Sequence, residues 1–490
     1  MSGKQVRFKS HDVRGYSDGG HSRARSRIGY SKQADSNVAS PTKRSRLRES
    51  CRHLDRTNSV FQAILNRGQE NVIGLGPQMT PQTLDSDWNA AAKAIYEEAG
   101  KRENYTRSGE RNRRQVAQLL WRSKERDGGA LIYHPKNGVQ VFEEGQILTP
   151  RSQRNNPRVR DGIGYAQGGF LDRYFVGPYS KFGFVDDNKA VGLKAWHVDE
   201  ELNVRLPLTT YIKNEQFISS LRGVPAMAAA IDHMERLDEY LEAILDRAVN
   251  EACVFGAKFS DDENPEDGVS ADRDDDDGQS DAESNYDRVA FMESGVIWNF
   301  KKDDEFQLYH TTTPNTMIQS FVRLVTRLSS IARGQPTEIS MLDFGDTNFS
   351  ASRAAIEQAK LFFRLEQRAM GELFWVPDYH WCLYEAIKSG ALPYREDWLQ
   401  VKYDPAGWQY LDPKADAQAA ALRLQSGEAT LTKILSERGI TLQQHLEEAG
   451  EEIVVAQRIA DQKGVPVELI LKHAFQTATG EKKEEKEDAK

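Results

Sequence analysis

Between Met227 and Phe255 one apolar face repeats without a break: Met227, Ile231, Met234, Leu237, Leu241, Ile244, Leu245, Ala248, Ala252 and Phe255. That spacing predicts a single amphipathic helix. Gly223 precedes it, and Pro225 suits the first helical position, where its missing N–H costs nothing. About 31 residues at ~1.5 Å each make a rod of roughly 45 Å. A second helix is expected from Thr313-Pro314, with Thr as cap and Pro at the first turn. Met317, Ile318, Phe321, Val322, Val325, Leu328 and Ile331 form its stripe, and Gly334 and Pro336 stop it. A third is expected from the cap Ser350 to Pro377, on Ile356, Ala359, Phe362, Phe363, Met370 and Phe374. Between the second and third helices runs a loop of small and polar residues, 334–349, with Asp343, Asp346 and the aromatic Phe349.

The rest of the chain differs in character. Residues 46–70 and 86–125 carry helical periods, and Asn71-Val-Ile-Gly-Leu-Gly-Pro77 reads as a turn. From 129 to about 208 the pattern turns to strands. Ala130–Tyr133 and Val139–Phe142, joined by Pro135-Lys-Asn-Gly138, read as a hairpin. Val289–Phe291 and Gly295–Phe300 read as strands, 380–412 as irregular and Trp/Tyr-rich, and 413–475 as helical. The fold class is α+β.

With 490 residues, two to four domains or lobes are expected. No apolar run reaches spanning length, so no membrane segment is expected. The basic N-terminus has no apolar stretch behind it and is not read as a secretory signal. Cys51, Cys253 and Cys382 lack metal-ligand spacing and fit a reducing compartment. The net charge of −9 does not suit a protein that grips nucleic acid over a wide face. It hides two opposite segments. Residues 1–50 hold twelve Lys or Arg against four acids, and 261–287 hold thirteen acids and one Arg. Both have little apolar content and are expected to order only with a partner. The basic arm has two readings, as a contact for DNA or an acidic partner or as a solubilising tail.

Motifs for chemistry are absent. There is no phosphate-binding GxxxxGK loop, no HExxH, no CxxC and no GxSxG. Gly162-Ile-Gly-Tyr-Ala-Gln-Gly168 is one residue too long for a dinucleotide fingerprint. His380-Trp-Cys382 reads as packing in an aromatic cluster. The run Asp274, Asp275, Asp276 and Asp277 has no frame to hold a cation and reads as a solvated loop. No cofactor or metal is expected, and no catalytic residue.

The order of these features resembles the portal proteins of tailed bacteriophages, in particular the lambda-type portals, over roughly residues 45–470. The markers are an Arg-Ser-Arg run at Arg46, then Leu54, Asn58 and Asn71–Gly76. Arg222-Gly-Val-Pro225, Ile331-Ala-Arg-Gly334, Thr347-Asn-Phe-Ser-Ala-Ser-Arg-Ala354, Pro377 with Tyr379, Ala386, Gly390, and Asp412–Ala417 follow. Two departures stand out. Ile218-Ser-Ser-Leu221 replaces a frequent Gly-Gln pair, and the acidic segment is unusually long.

The resemblance implies a portal fold assembled as a ring of usually twelve subunits at one capsid vertex. After a basic arm (1–45) come a wing (46–222), a stem helix (223–256), a clip (257–312) and a second stem helix (313–333). A tunnel loop (334–349), a tunnel helix with wing return (350–412), a crown (413–478) and a charged tail (479–490) complete it. The implied DNA-facing residues are Asp343, Phe344, Asp346, Thr347, Asn348 and Phe349, with Ser350 and Arg353 at the helix cap. Asp343 and Asp346 would keep a sliding duplex from binding tightly. The acids Asp274–Asp277 at the clip would steer docking of a terminase or head-tail adaptor; the same segment also reads as a disordered insert. Double-stranded DNA, the major capsid or a scaffold protein, and assembly in the host cytoplasm belong to the same expectation. Two other classes remain open from sequence: a metal-dependent DNA-processing enzyme using the Asp-rich segment, and a minor head or scaffold protein.

Overall fold

The computed structural model describes residues 41–181, 183–215, 217–218, 220–260, 296–301, 318–345, 348–408 and 413–469. The basic arm through position 40, the acidic segment with Asp274–Asp277, the strand expected at 289–291, the start at Thr313-Pro314, and Asp346 and Thr347 lie outside the described residues. So does the charged tail.

Two helices open the structure, α1 (Pro41–Thr57) and α2 (Ser59–Val72). Helix α1 starts at Pro41, so helical structure reaches into the segment read as arm; proline suits a first turn. Asn58 separates the pair because its side chain accepts the Phe61 N–H and restarts the chain as α2. After the turn at Gly74 and Gly76 come β1 (Gln78–Pro81), α3 (Ser86–Ala99), the short α4 (Arg102–Tyr105) and α5 (Arg113–Asp127). The expected hairpin is present as β2 (Gly129–Tyr133) and β3 (Gln140–Glu143). A run of short strands follows: β4 (Val159–Arg160), β5 (Ile163–Tyr165), β6 (Leu171–Val176), β7 (Val191–Lys194), β8 (Trp196–Asp199), β9 (Val204–Pro207) and β10 (Thr209–Lys213). They form the sheets β10-β2-β3, β4-β5-β6-β7 and β8-β9.

The long stem helix differs from its sequence reading at both ends. A 3₁₀ turn over Ala226–Ala230 precedes α6 (Ile231–Cys253), and Pro225 stands before that turn instead of inside an α-helix. Val254 leaves the helix for a strand, β11 (Val254–Ser260), parallel to β12 (Val296–Lys301); β-branched and aromatic residues favour that exit. Then come α7 (Ile318–Ile331), the single turn α8 (Thr337–Ser340) and α9 (Phe349–Met370).

Helix α9 does not end at Pro377. A π-turn over Gly371–Trp375 carries it into α10 (Val376–Lys388), so the segment read as irregular from 380 begins as helix. Pro377 sits in the first turn of α10, where a missing N–H is tolerated. The Tyr403 hydroxyl donates to the Gln367 carbonyl at 2.8 Å beside this shift in the ladder. Strand β13 (Val401–Asp404) returns to pair with β1, and α11 (Pro413–Gln425), α12 (Leu431–Glu437) and α13 (Leu442–Lys463) finish the chain.

Two buried polar centres join these parts. Arg222 lies between lobes: its Nε donates to Glu144 at 2.8 Å, and its other nitrogens donate to the carbonyls of Glu144, Ile147 and Asp161. Tyr211 donates to the same Glu144 at 2.6 Å and accepts the Gly223 N–H at 2.9 Å. Gly223 passes so close to Gly128 that a Cβ on it would stand 1.9 Å from the Gly128 carbonyl oxygen. The Arg-Gly-Val-Pro run is thus a buried clamp that sets where the stem leaves the wing.

The second centre is Asp378 on α10. It accepts from Arg113 Nε at 2.6 Å and Tyr105 Oη at 2.8 Å, and His134 Nε2 lies 3.2 Å away. Burial alone would raise its carboxyl pKa; Arg113 and His134 outweigh that and hold it below the usual range. A depressed folded-state pKa stabilises above the unfolded value of about 3.9, and that stability is lost as pH falls through the folded pKa. Asp378→Asn should therefore cost about 3–5 kcal/mol at pH 7 by urea titration. Its stability should also fall less than wild type's between pH 5 and pH 2, measured the same way.

Candidate functional site

The loop between α7 and α9 has a fixed root and an exposed tip. Its root begins at Arg333 and Gly334. Arg333 pairs with Glu125 of α5 at 2.5 Å, and Lys124 pairs with Glu366 of α9 at 2.5 Å. Trp121 donates to Glu366 at 3.2 Å. Burial pushes the Glu125 carboxyl up, against the pull of Arg333 and Lys124. Four charges from α5, α9 and the turn after α7 meet here out of water, so removal of any one leaves its partner buried and unpaired.

The next residues continue the anchoring. Gly334 takes a positive φ of 62°, and a Cβ on it would lie 2.8 Å from the Phe362 ring; only glycine reverses the chain here without strain. Gln335, buried, donates to the Ile64 carbonyl of α2 at 3.1 Å. Ser330 and Ser340 share a hydrogen bond at 3.1 Å, closing α8 against α7.

Beyond Ser340 the contacts thin out. Met341, Leu342 and Phe344 are exposed, and Leu342 takes a φ of 53°, unusual for a branched residue. Asp343 is not a free charge. Its carboxylate lies 3.2 Å from Arg323 Nε on α7 and accepts the Gly345 N–H at 3.2 Å. Among the described residues of the tip, Met341, Leu342 and Phe344 are exposed and the Asp343 carboxylate is paired.

The start of α9 corrects the expected cap. Asn348 accepts the Ala351 N–H at 2.8 Å and is the N-cap; Ser350 lies inside the first turn. The reason is register: Phe349 already has helical conformation, so the capping side chain must be one residue earlier. Arg353 pairs with Asp416 of α11, which ties the head of α9 to the C-terminal helices. Sequence reasoning placed Asp343, Phe344 and Asn348 on this loop but missed the root. The signal was present: Lys124 and Glu125 follow Leu120 and Trp121 by four residues, on the buried face of α5.

Outside this loop, His380 and Trp381 hold the α10 surface by bonds to the carbonyls of Leu399 and Pro207, as packing residues do. Among the described residues no three His, Cys, Asp or Glu are grouped to hold a metal ion, and no helix is long and apolar enough to cross a membrane.

The phage portal protein, lambda family, matches residues 21–367 by sequence profile, which is most of the chain. This chain belongs to that family and is a phage portal protein. No curated protein matches it significantly. Among solved structures, it is similar to chains from the neck of an empty gene transfer agent particle computed with C6 symmetry and from the virion of the native particle. The first has a TM-score of 0.40 and 13% identity over 82% of this chain and 94% of that one. The second has 0.39 and 12% over 80% and 93%.

Asn348→Ala should cost about 1 kcal/mol of stability as the cap is lost. Ser350→Ala should change it by less than about 0.5 kcal/mol. Denaturant midpoints of the two variants, compared side by side, check the assignment. A loss in Ser350→Ala without one in Asn348→Ala would return the cap to Ser350.

Proposed function

We propose that this portal protein closes into a ring of twelve copies at one vertex of the virion and conducts double-stranded DNA through its centre during packaging and ejection. It is a conduit and docking platform without chemistry of its own. The wing, stem, clip, tunnel-loop and crown divisions follow the boundaries set out from sequence, with α1 added to the wing. The clip takes the terminase and then the head-tail adaptor, the outer surface meets capsid or scaffold protein, and assembly takes place in the host cytoplasm.

The observation that carries this reading is the contrast within one loop. Its root is held by buried charges and its tip presents Leu342 and Phe344 around an Asp343 already paired with Arg323. A duplex binds tightly where cationic side chains displace its condensed counterions. From Met341 to Phe349 there is no Lys or Arg. Such an edge guides DNA and lets it slide.

Native mass measurement and top-view imaging of the purified protein should show a closed ring with a hole wide enough for a duplex. A protein that stays monomeric at every salt and concentration, with or without scaffold protein, would sink the ring. The loop itself is tested by Phe344→Lys. One added cation per subunit at the channel edge should raise DNA retention at low salt and steepen its salt dependence. Unchanged retention would place the tip away from DNA.

A further inference from the structure

Helix α7 buries only part of its apolar surface. Its buried face carries Val325, Thr326, Ser329 and Ser330. The larger apolar residues Leu324, Leu328 and Ile331 stay 54%, 49% and 61% exposed, while Phe321 packs edge-on against Tyr240 of α6. These three recur at steps of four and three, the spacing of a seam between packed helices. Leu324 and Ile331 also form one wall of a cleft of about 720 Å³, whose other wall is Ala355, Gln358 and Ala359 of α9. Arg323 and Arg327 rim it. In water such a face costs free energy roughly in proportion to its apolar area. A monomer rarely keeps one uncovered.

The same chain carries a complementary surface on another helix. In the distal half of α6, Leu245 is 66% exposed, and Glu242 and Asp246 beside it are exposed as well. A leucine flanked by acids fits a cleft whose lining carries Arg327; Arg323 of the same lining is already paired with Asp343, and Glu338 also lines it. The two surfaces lie on different helices of one chain, so pairing them between copies is head-to-tail, the arrangement that closes rings. We infer that α6 of a second copy seats Leu245 in the α7–α9 cleft, with Glu242 and Asp246 facing Arg327. This rests on the ring reading above and specifies its contact. It also means the floor of the loop is completed by the neighbouring subunit.

The test is oxidative cross-linking of the full-length protein carrying Leu245→Cys and Leu324→Cys. On a non-reducing gel the double variant should give a ladder well beyond dimer, and each single variant should give none above the wild-type background. Native mass is measured on the same samples. Rings without a ladder overturn this contact and leave the ring standing. A ladder that stops at dimer overturns the head-to-tail pairing. A wild type that never forms a ring removes both. As a second arm, Arg327→Glu should reduce the ring fraction at least tenfold, and adding Glu242→Arg and Asp246→Arg should restore it. Failure of that restoration in folded protein would overturn the charge pairing.

Discussion

Everything near the loop depends on the meeting of Arg333, Glu125, Lys124 and Glu366. These four charges come from α5, the turn after α7 and the C-terminal part of α9, and they are largely shielded from water. Such a group is stabilising only when every member is present and well placed. It therefore imposes one arrangement of three helices in a way that apolar packing alone does not. Gly334 and Gln335 follow directly, so the reversal of the chain starts from a fixed point. The clamp around Arg222 plays the same part where the stem leaves the wing. Between them the two centres fix the start of α6 and the end of α7 against the body of the protein.

Much of the architecture was legible before any coordinates. The apolar stripes of α6, α7 and α9 announced helices, and the turn Pro135–Gly138 announced a hairpin, because local periodicity and turn chemistry are written in neighbouring residues. Where the reading failed, the cause lay far away in the chain. The π-turn after Met370 is placed beside Tyr403, thirty-odd positions downstream. The start of α6 was set by the close pass of Gly223 under Gly128. The cap of α9 slipped by two residues because Asn348 and Ser350 are equally good caps in isolation, and only the backbone chooses.

The candidate site was half legible. Its position at the head of a helix was identifiable, but the small and polar surface expected there is in fact one on which Met341, Leu342 and Phe344 are exposed. Its charge balance was not legible, since Asp343 and Arg323 are twenty residues apart and nothing local pairs them. The stripe on α7 was read correctly as apolar, but a stripe does not say what covers it. Here the chain covers Val322 and Val325 but leaves Leu328 and Ile331 exposed, and that division is visible only in three dimensions.

The pairing of β1 with β13 joins position 78 to position 404. A contact that spans so much of the chain closes a very large loop, and such loops form late and slowly. The core around Trp121, Phe363 and Tyr379 draws on both ends of that loop. During synthesis, then, α1 to α5 emerge and wait without their final partners until α9, α10 and β13 have left the ribosome. The nascent protein carries exposed apolar surface for most of its translation time, and companion proteins that shield such surface have their longest opportunity to act on this chain before it is complete.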